Sequence, residues 1–128
     1  MDVLIDTSVI IDFLRRKDKT DSWFYKLSLG DSSLTISILT HAELYSGKSV
    51  YESPKNKRYL DAITSRLNII ALDLPISILG ARLKAKSNAG LLDCLIGATA
   101  IRGGYSLATL NNKHFQEMKN LRLLKPPR

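Results

Sequence analysis

Val3-Leu4-Ile5-Asp6-Thr7-Ser8-Val9-Ile10-Ile11-Asp12-Phe13-Leu14 opens with three apolar residues, breaks on an acid and two hydroxyls, and turns apolar again. The first run is short and uninterrupted, as in a strand buried on both faces, and residues 7–14 read as a helix. Asp6 therefore stands at the carboxyl end of a buried strand, where a helix begins. In open α/β sheets the crevice beyond the carboxyl ends of the strands is where ligands bind, so an acid there can serve chemistry as well as structure.

The alternation continues outward from that stretch. Residues 15–20 make a charged turn into an amphipathic segment carrying Trp23, Phe24, Leu27 and Leu29, which Gly30-Asp31 ends. Trp23, Phe24 and Tyr25 suit a core or an interface. Residues 34–36 read as a short strand. Ser37 then caps a helix with Ile38, Leu39, Ala42 and Tyr45 on its apolar stripe, closed by Gly47. A polar loop over 48–54 leads to a helix over about 54–66, with Pro54 in its first turn, and to a buried strand over 68–72. Gly90 separates a helix over about 75–89 from one running from Leu91 to Gly103-Gly104. Residues 105–109 form another strand, Asn111-Asn112 turn into a helical piece near 115–118, and 121–124 add an edge strand. With no repeat, linker or low-complexity tract, the pattern predicts one domain over 1–128. Its fold is α/β, a three-layer α/β/α sandwich around a mainly parallel central sheet.

The 128 residues are 45% hydrophobic and 24% charged, a balance that fits a packed domain and argues against disorder. No apolar run is long enough to span a bilayer, and the amino terminus lacks the basic region of a secretory signal, so a soluble, cytoplasmic protein is expected. Cys94 stands alone, which excludes an internal disulfide and a multi-cysteine zinc site, and His41 and His114 cannot complete one. A formal charge of +7 admits nucleic acid as a partner and equally a plain basic surface, because the cations are spread along the chain.

Two further acids interrupt apolar helices. Asp93 lies within Leu91-Leu92-Asp93-Cys94-Leu95-Ile96-Gly97-Ala98-Thr99-Ala100, apolar nearly all round and hence central, with small residues that suit close packing on a strand. A lone charge buried there is costly unless a cation or hydrogen bonds compensate it. Glu43 sits at the rim of its helix's apolar stripe. Each acid also has an ordinary reading: Asp6 as a helix cap, Glu43 as a solvated helical acid, Asp93 as an acid bonded to nearby amides. If Asp6, Glu43 and Asp93 converge, they offer oxygen ligands to a hard divalent cation.

Asp6-Thr7-Ser8, Glu43 in Thr40-His41-Ala42-Glu43-Leu44, Asp93 in Leu92-Asp93-Cys94-Leu95-Ile96-Gly97-Ala98, and Ala108-Thr109-Leu110-Asn111 together resemble the four signatures of PIN domains. The resemblance spans essentially the whole chain. Order, spacing and size are most similar to the VapC-type toxins of toxin–antitoxin pairs. It implies a magnesium- or manganese-dependent endoribonuclease, usually dimeric and inhibited by a small VapB-like antitoxin. Carried over, it implies that Asp6 and Asp93 bind metal, that Glu43 is the family's third acid, and that Thr109 supports the site, with Thr7 beside Asp6. Asn111 stands where many members carry a fourth Asp, which leaves one metal or two open.

Residue chemistry fits that expectation. Magnesium is commonly held by one or two carboxylates plus phosphate oxygens, so Asp6 and Asp93 suffice, and Glu43 would orient or deprotonate a water. Acids repel RNA, so cations at the rim are needed to hold the strand, and Arg15, Arg16, Lys48 and Lys113 adjoin the elements that carry the motifs. Two other functions compete. A haloacid-dehalogenase-like phosphatase would want a second Asp at position 8, which is Ser8. A basic RNA- or DNA-binding module with a vestigial acidic site would find its support in Asn111.

Overall fold

A computed structural model describes residues 1–127. Five strands, β1 (Asp2–Ile5), β2 (Ser33–Ser37), β3 (Asn68–Ile70), β4 (Ser106–Ala108) and β5 (Arg122–Leu123), form one sheet in the order β3-β2-β1-β4-β5. Every pairing is parallel, as the alternating pattern requires. Eight helices connect them: α1 (Thr7–Arg15), α2 (Trp23–Ser28), α3 (Ile38–Leu44), α4 (Ser49–Glu52), α5 (Pro54–Thr64), α6 (Leu74–Ala85), α7 (Leu91–Gly103) and α8 (Asn112–Phe115). Among the described residues no helix is long and apolar enough to cross a membrane.

The pleat of β1 explains its unbroken apolar run. Val3 and Ile5 point into a cluster with Val9, Ile10, Trp23, Phe24 and Leu60, under α1, α2 and α5. Leu4 points the other way, into Cys94, Ile96, Ala100, Leu107 and Phe115, under α7 and α8. Sheet between two helical layers is the three-layer sandwich. The chain visits β2 and β3 on one side of β1 and then crosses to β4 and β5 on the other. The order reverses between β1 and β4, and their carboxyl ends flank the resulting crevice.

Local chemistry sets most helix starts. Ser22, Ser37, Ser53 and Asp73 each accept a backbone N–H from the first turn of the helix that follows, and Pro54 opens α5. Gly104, at φ 72°, ends α7 in the left-handed conformation that an L side chain resists.

Several expectations are corrected. In α3 the buried residues are Thr40 and Leu44, whereas Ile38 and Ala42 are exposed, because Thr40 finds a hydrogen-bonding partner across the core. Gly47 does not close that helix, which ends at Leu44. Residues 48–54 are not all loop: α4 forms there and buries Val50. Strand β3 is a three-residue edge with Asn68 and Ile69 exposed, so it is shorter and less buried than 68–72 suggests. Helix α6 stops at Ala85, and α8 lies at Asn112–Phe115, upstream of 115–118. The small residues of α7 serve two neighbours: Ala100 joins the cluster beneath the sheet, and Gly97 faces Met118, whose Sδ would stand 2.4 Å from an added Cβ.

Candidate active site

The register delivers Asp6 and Thr109 side by side. Ile5 pairs with Ala108, so the next residue of each strand stands at the mouth of the β1/β4 crevice, and the Asp6 amide donates to the Ala108 carbonyl at 2.9 Å. Asp6 occupies the N-cap position of α1 yet accepts no backbone N–H through its side chain. Instead, its Oδ2 accepts from the Ser8 and Thr109 hydroxyls, each at 2.8 Å. Those hydroxyls in turn accept the amides of Leu110 at 3.1 Å and Asn111 at 3.0 Å. Asp6, 3% exposed, is thus clamped through one oxygen, and among the described residues no protein donor reaches Oδ1.

Asp93 enters from the first turn of α7, where the partial positive charge of the helix terminus favours an acid. Its Oδ2 lies 2.9 Å from Nδ1 of His114 on α8. Burial first, then the negative charge of Asp6, push the Asp93 carboxyl above its ordinary value, and His114 opposes both. Two carboxylates therefore face each other closely enough to repel. Each is anchored through Oδ2.

Glu43 arrives from α3, beyond β2 on the opposite side of β1 from β4. The Thr7 hydroxyl donates to its Oε1 at 2.8 Å and lies 3.0 Å from the Thr40 hydroxyl, which is fully buried. The three acids do not close into one tight cluster. Among the described residues no group of three or more His, Cys, Asp or Glu is placed to hold a metal ion. Asp6 and Asp93 form the pair, and Glu43 adjoins through Thr7, which follows Asp6 in the chain.

The remaining candidates scatter around this centre. Asn111 is exposed, and its side chain does not cap α8. Arg15 ends α1 and shares a cavity wall with Glu43. Arg16 is held by Asp12 at 2.9 Å, one turn back on α1. Lys48 and Lys113 are exposed, the first just before α4 and the second within α8. Ser8 and Thr40, both within the motifs quoted above, prove to join segments far apart in the chain through their hydroxyls, and His114 escaped the sequence reading as a site residue.

The PIN domain profile matches residues 3–121. Ribonuclease VapC1 of Rickettsia felis is 33% identical over 134 aligned positions, spanning 97% of this chain and 96% of that protein. Ribonuclease VapC1 of Methanocaldococcus jannaschii is 31% identical, over 94% of this chain and 84% of its own length. Among solved structures, VapBC2 from Rickettsia felis bound to a DNA fragment from its promoter superposes with a TM-score of 0.80 at 27% identity, covering 97% of this chain and 98% of that one. On these matches the chain belongs to the PIN domain family, among its VapC-type proteins.

Proposed function

We propose that this chain is a metal-dependent endoribonuclease, the toxin of a VapBC-type toxin–antitoxin pair, with residues 1–128 acting as one nuclease domain in the cytoplasm. The observation that carries the reading is the Asp6–Asp93 pair at the sheet's switch point, two mutually repelling carboxylates each with one oxygen unanchored. The relatives named Ribonuclease VapC1 give the chemistry its direction.

The donor set fits magnesium or manganese. Two carboxylate oxygens on a clamped, part-buried frame are what such ions take alongside phosphate oxygens and water, and an ion would relieve the repulsion that raises Asp93. Asp6 and Asp93 would hold it. When bound, it supplies charge neutralisation at a scissile phosphate and a more acidic water. The chain's own residues do the rest. Ser8 and Thr109 fix the Asp6 carboxylate, His114 fixes Asp93, and Thr7, backed by Thr40, aims Glu43. Glu43 then accepts a proton from the attacking water or orients it. Asn111, uncharged, adds a polar oxygen at the rim and favours a single strongly held ion. Arg15, Arg16, Lys48 and Lys113 hold the RNA backbone, with Arg16 weakest because Asp12 already occupies it.

A cognate VapB-like antitoxin, by analogy with the VapBC2 complex of Rickettsia felis, completes the proposed assembly, and a homodimer is proposed with it from the family resemblance alone. The test is cleavage of a mixed structured RNA pool with magnesium, manganese or chelator, beside an Asp6→Asn control. Metal-dependent cutting absent from the control is the expected result. RNA binding without cutting in both proteins would favour the binding-module reading.

A further inference from the structure

The turn that clamps Asp6 also carries His114. The Asn111 amide donates to the Thr109 hydroxyl that holds Asp6, and the His114 amide donates to the Asn111 carbonyl at 2.9 Å. Phe115, the next residue, is fully buried in the cluster beneath the sheet and seats α8 beside α7. Backbone thereby ties His114 to Asp6, while its side chain reaches Asp93, with Nδ1 2.9 Å from Oδ2. The ring itself is not packed in: 53% of the side chain is in solvent, so it can turn without disturbing the core. The two acids are served by different chemistry. Asp6 is held by the hydroxyls of Ser8 and Thr109, whereas the side chain beside Asp93 offers an imidazole nitrogen, the commonest side-chain metal ligand.

We infer that His114 is a ligand of the site: when an ion enters between Asp6 and Asp93, Nδ1 gives up its contact with Asp93 and takes the ion, and this nitrogen makes the site prefer manganese to magnesium. The inference rests on the metal-dependent nuclease reading and decides which ion that reading uses. Spacing supports it. Neighbouring corners of an octahedron with bonds of about 2.1 Å lie about 3.0 Å apart, and Oδ2 and Nδ1 already stand at 2.9 Å. Among the described residues no three such side chains yet surround an ion, and the exposed ring is the part of the site that can swing to admit one. Ligand type supplies the preference. Magnesium takes oxygen and parts reluctantly with its waters, while a first-row ion accepts imidazole alongside carboxylates. The ring binds as its neutral form, with the proton on Nε2. Glu43 is the other candidate for a third ligand, and its Oε1 is already engaged by Thr7.

Binding should be read apart from cutting, in tag-free protein with manganese(II) chloride as the probe. The chain has two histidines, and His41 is stacked on Tyr45 with ring centres 4.6 Å apart, so single substitutions assign any imidazole signal. The electron spin echo of bound manganese should carry the modulation of a directly bonded nitrogen in the parent and in His41→Gln. It should lose that modulation in His114→Asn, which keeps a polar atom where Nδ1 stands. By titration calorimetry, His114→Asn should bind manganese roughly tenfold more weakly and magnesium within about threefold of the parent. Because the ring is exposed, its metal-free melting temperature should match the parent's. Bound manganese without nitrogen modulation, modulation that survives in His114→Asn, or an equal loss for both ions overturns the inference and leaves His114 as a brace for Asp93. Cleavage that needs Asp6 and metal would then still uphold the nuclease reading. Nitrogen modulation from His114 in a chain that never cuts RNA would keep the ligand and overturn the nuclease. A parent that binds neither ion overturns both.

Discussion

Asp61 and Asp93 are the same side chain placed in opposite circumstances. On α5, Asp61 accepts from the Tyr45 hydroxyl and from Lys57 at 2.9 Å, and these hydrogen bonds, Tyr45 first, hold its carboxyl below the ordinary value. On α7, Asp93 is drawn out of water beside a second carboxylate, so its carboxyl rises, although His114, its one side-chain partner among the described residues, opposes the shift. One acid is satisfied by the fold. The other is left partly uncompensated at the sheet's switch point, which is where a ligand can make up the deficit. Charge that the fold itself does not satisfy marks a site more sharply than burial does.

Removing each charge should separate the two roles. Asp93→Asn keeps the shape of the side chain and relieves its repulsion with Asp6, so RNA cleavage should fall at least about a hundredfold while the metal-free melting temperature holds or rises. Asp61→Asn should cleave normally and melt slightly earlier. A collapse of stability in Asp93→Asn would show that Asp93 belongs with Asp61 as a structural acid. Magnesium sharpens the same contrast by linkage: it should raise the melting temperature of the parent and of Asp61→Asn, but not of Asp93→Asn. Scanning fluorimetry with and without chelator reads this directly.

The clamp on Asp6 comes next in size. Thr109→Val preserves shape but removes the hydroxyl that donates to Asp6 Oδ2 and accepts from the Asn111 amide. With Thr109 only 1% exposed, the loss should cost about 1–3 kcal/mol in chemical denaturation. Cleavage should drop through a misplaced carboxylate, and higher magnesium should recover part of it. Normal activity at normal magnesium would show that Ser8 alone positions Asp6.

These hydroxyls also mark where sequence stops being legible. Asp6 could be read because three apolar residues, an acid and two hydroxyls are consecutive, and α7 because its apolar run surrounds a single charge. The parallel sheet followed from the alternation of elements. What stayed hidden depends on partners far away in the chain. Thr40 looks like a polar residue beside the apolar stripe of its helix until Thr7, 33 positions earlier, turns it inward and leaves Ile38 in solvent. Val50 appears as one apolar residue in a polar stretch until the core beside α5 accepts it. His114 lacks any local pattern, since its meaning comes from Asp93 on another helix. Where Glu43 stands relative to the acid pair also depends on a distant contact: spacing places it near a strand end but does not reveal its bond to Thr7.

Acid dependence divides the two carboxylates by sign. A carboxyl raised in the folded state takes up its proton earlier there than in the unfolded chain, so Asp93 favours folding at low pH and loses that contribution as pH climbs through its raised value. Asp61, lowered when folded, contributes above the ordinary carboxylate value and loses its contribution as pH falls toward its lowered one. In chelator, the stability difference between parent and Asp93→Asn should therefore move against Asp93 on raising pH, and the difference between parent and Asp61→Asn should vanish on lowering it. Tyr45→Phe probes the second slope most gently. It deletes the largest cause of the Asp61 shift, leaves Lys57 in place, and keeps the ring against His41, whose centre is 4.6 Å away. The expected loss is small above the carboxylate range and smaller still in acid, with cleavage unchanged. Equal losses at both ends of the pH range would show that the hydroxyl acts through Thr64, 3.1 Å away, and not through the charge of Asp61.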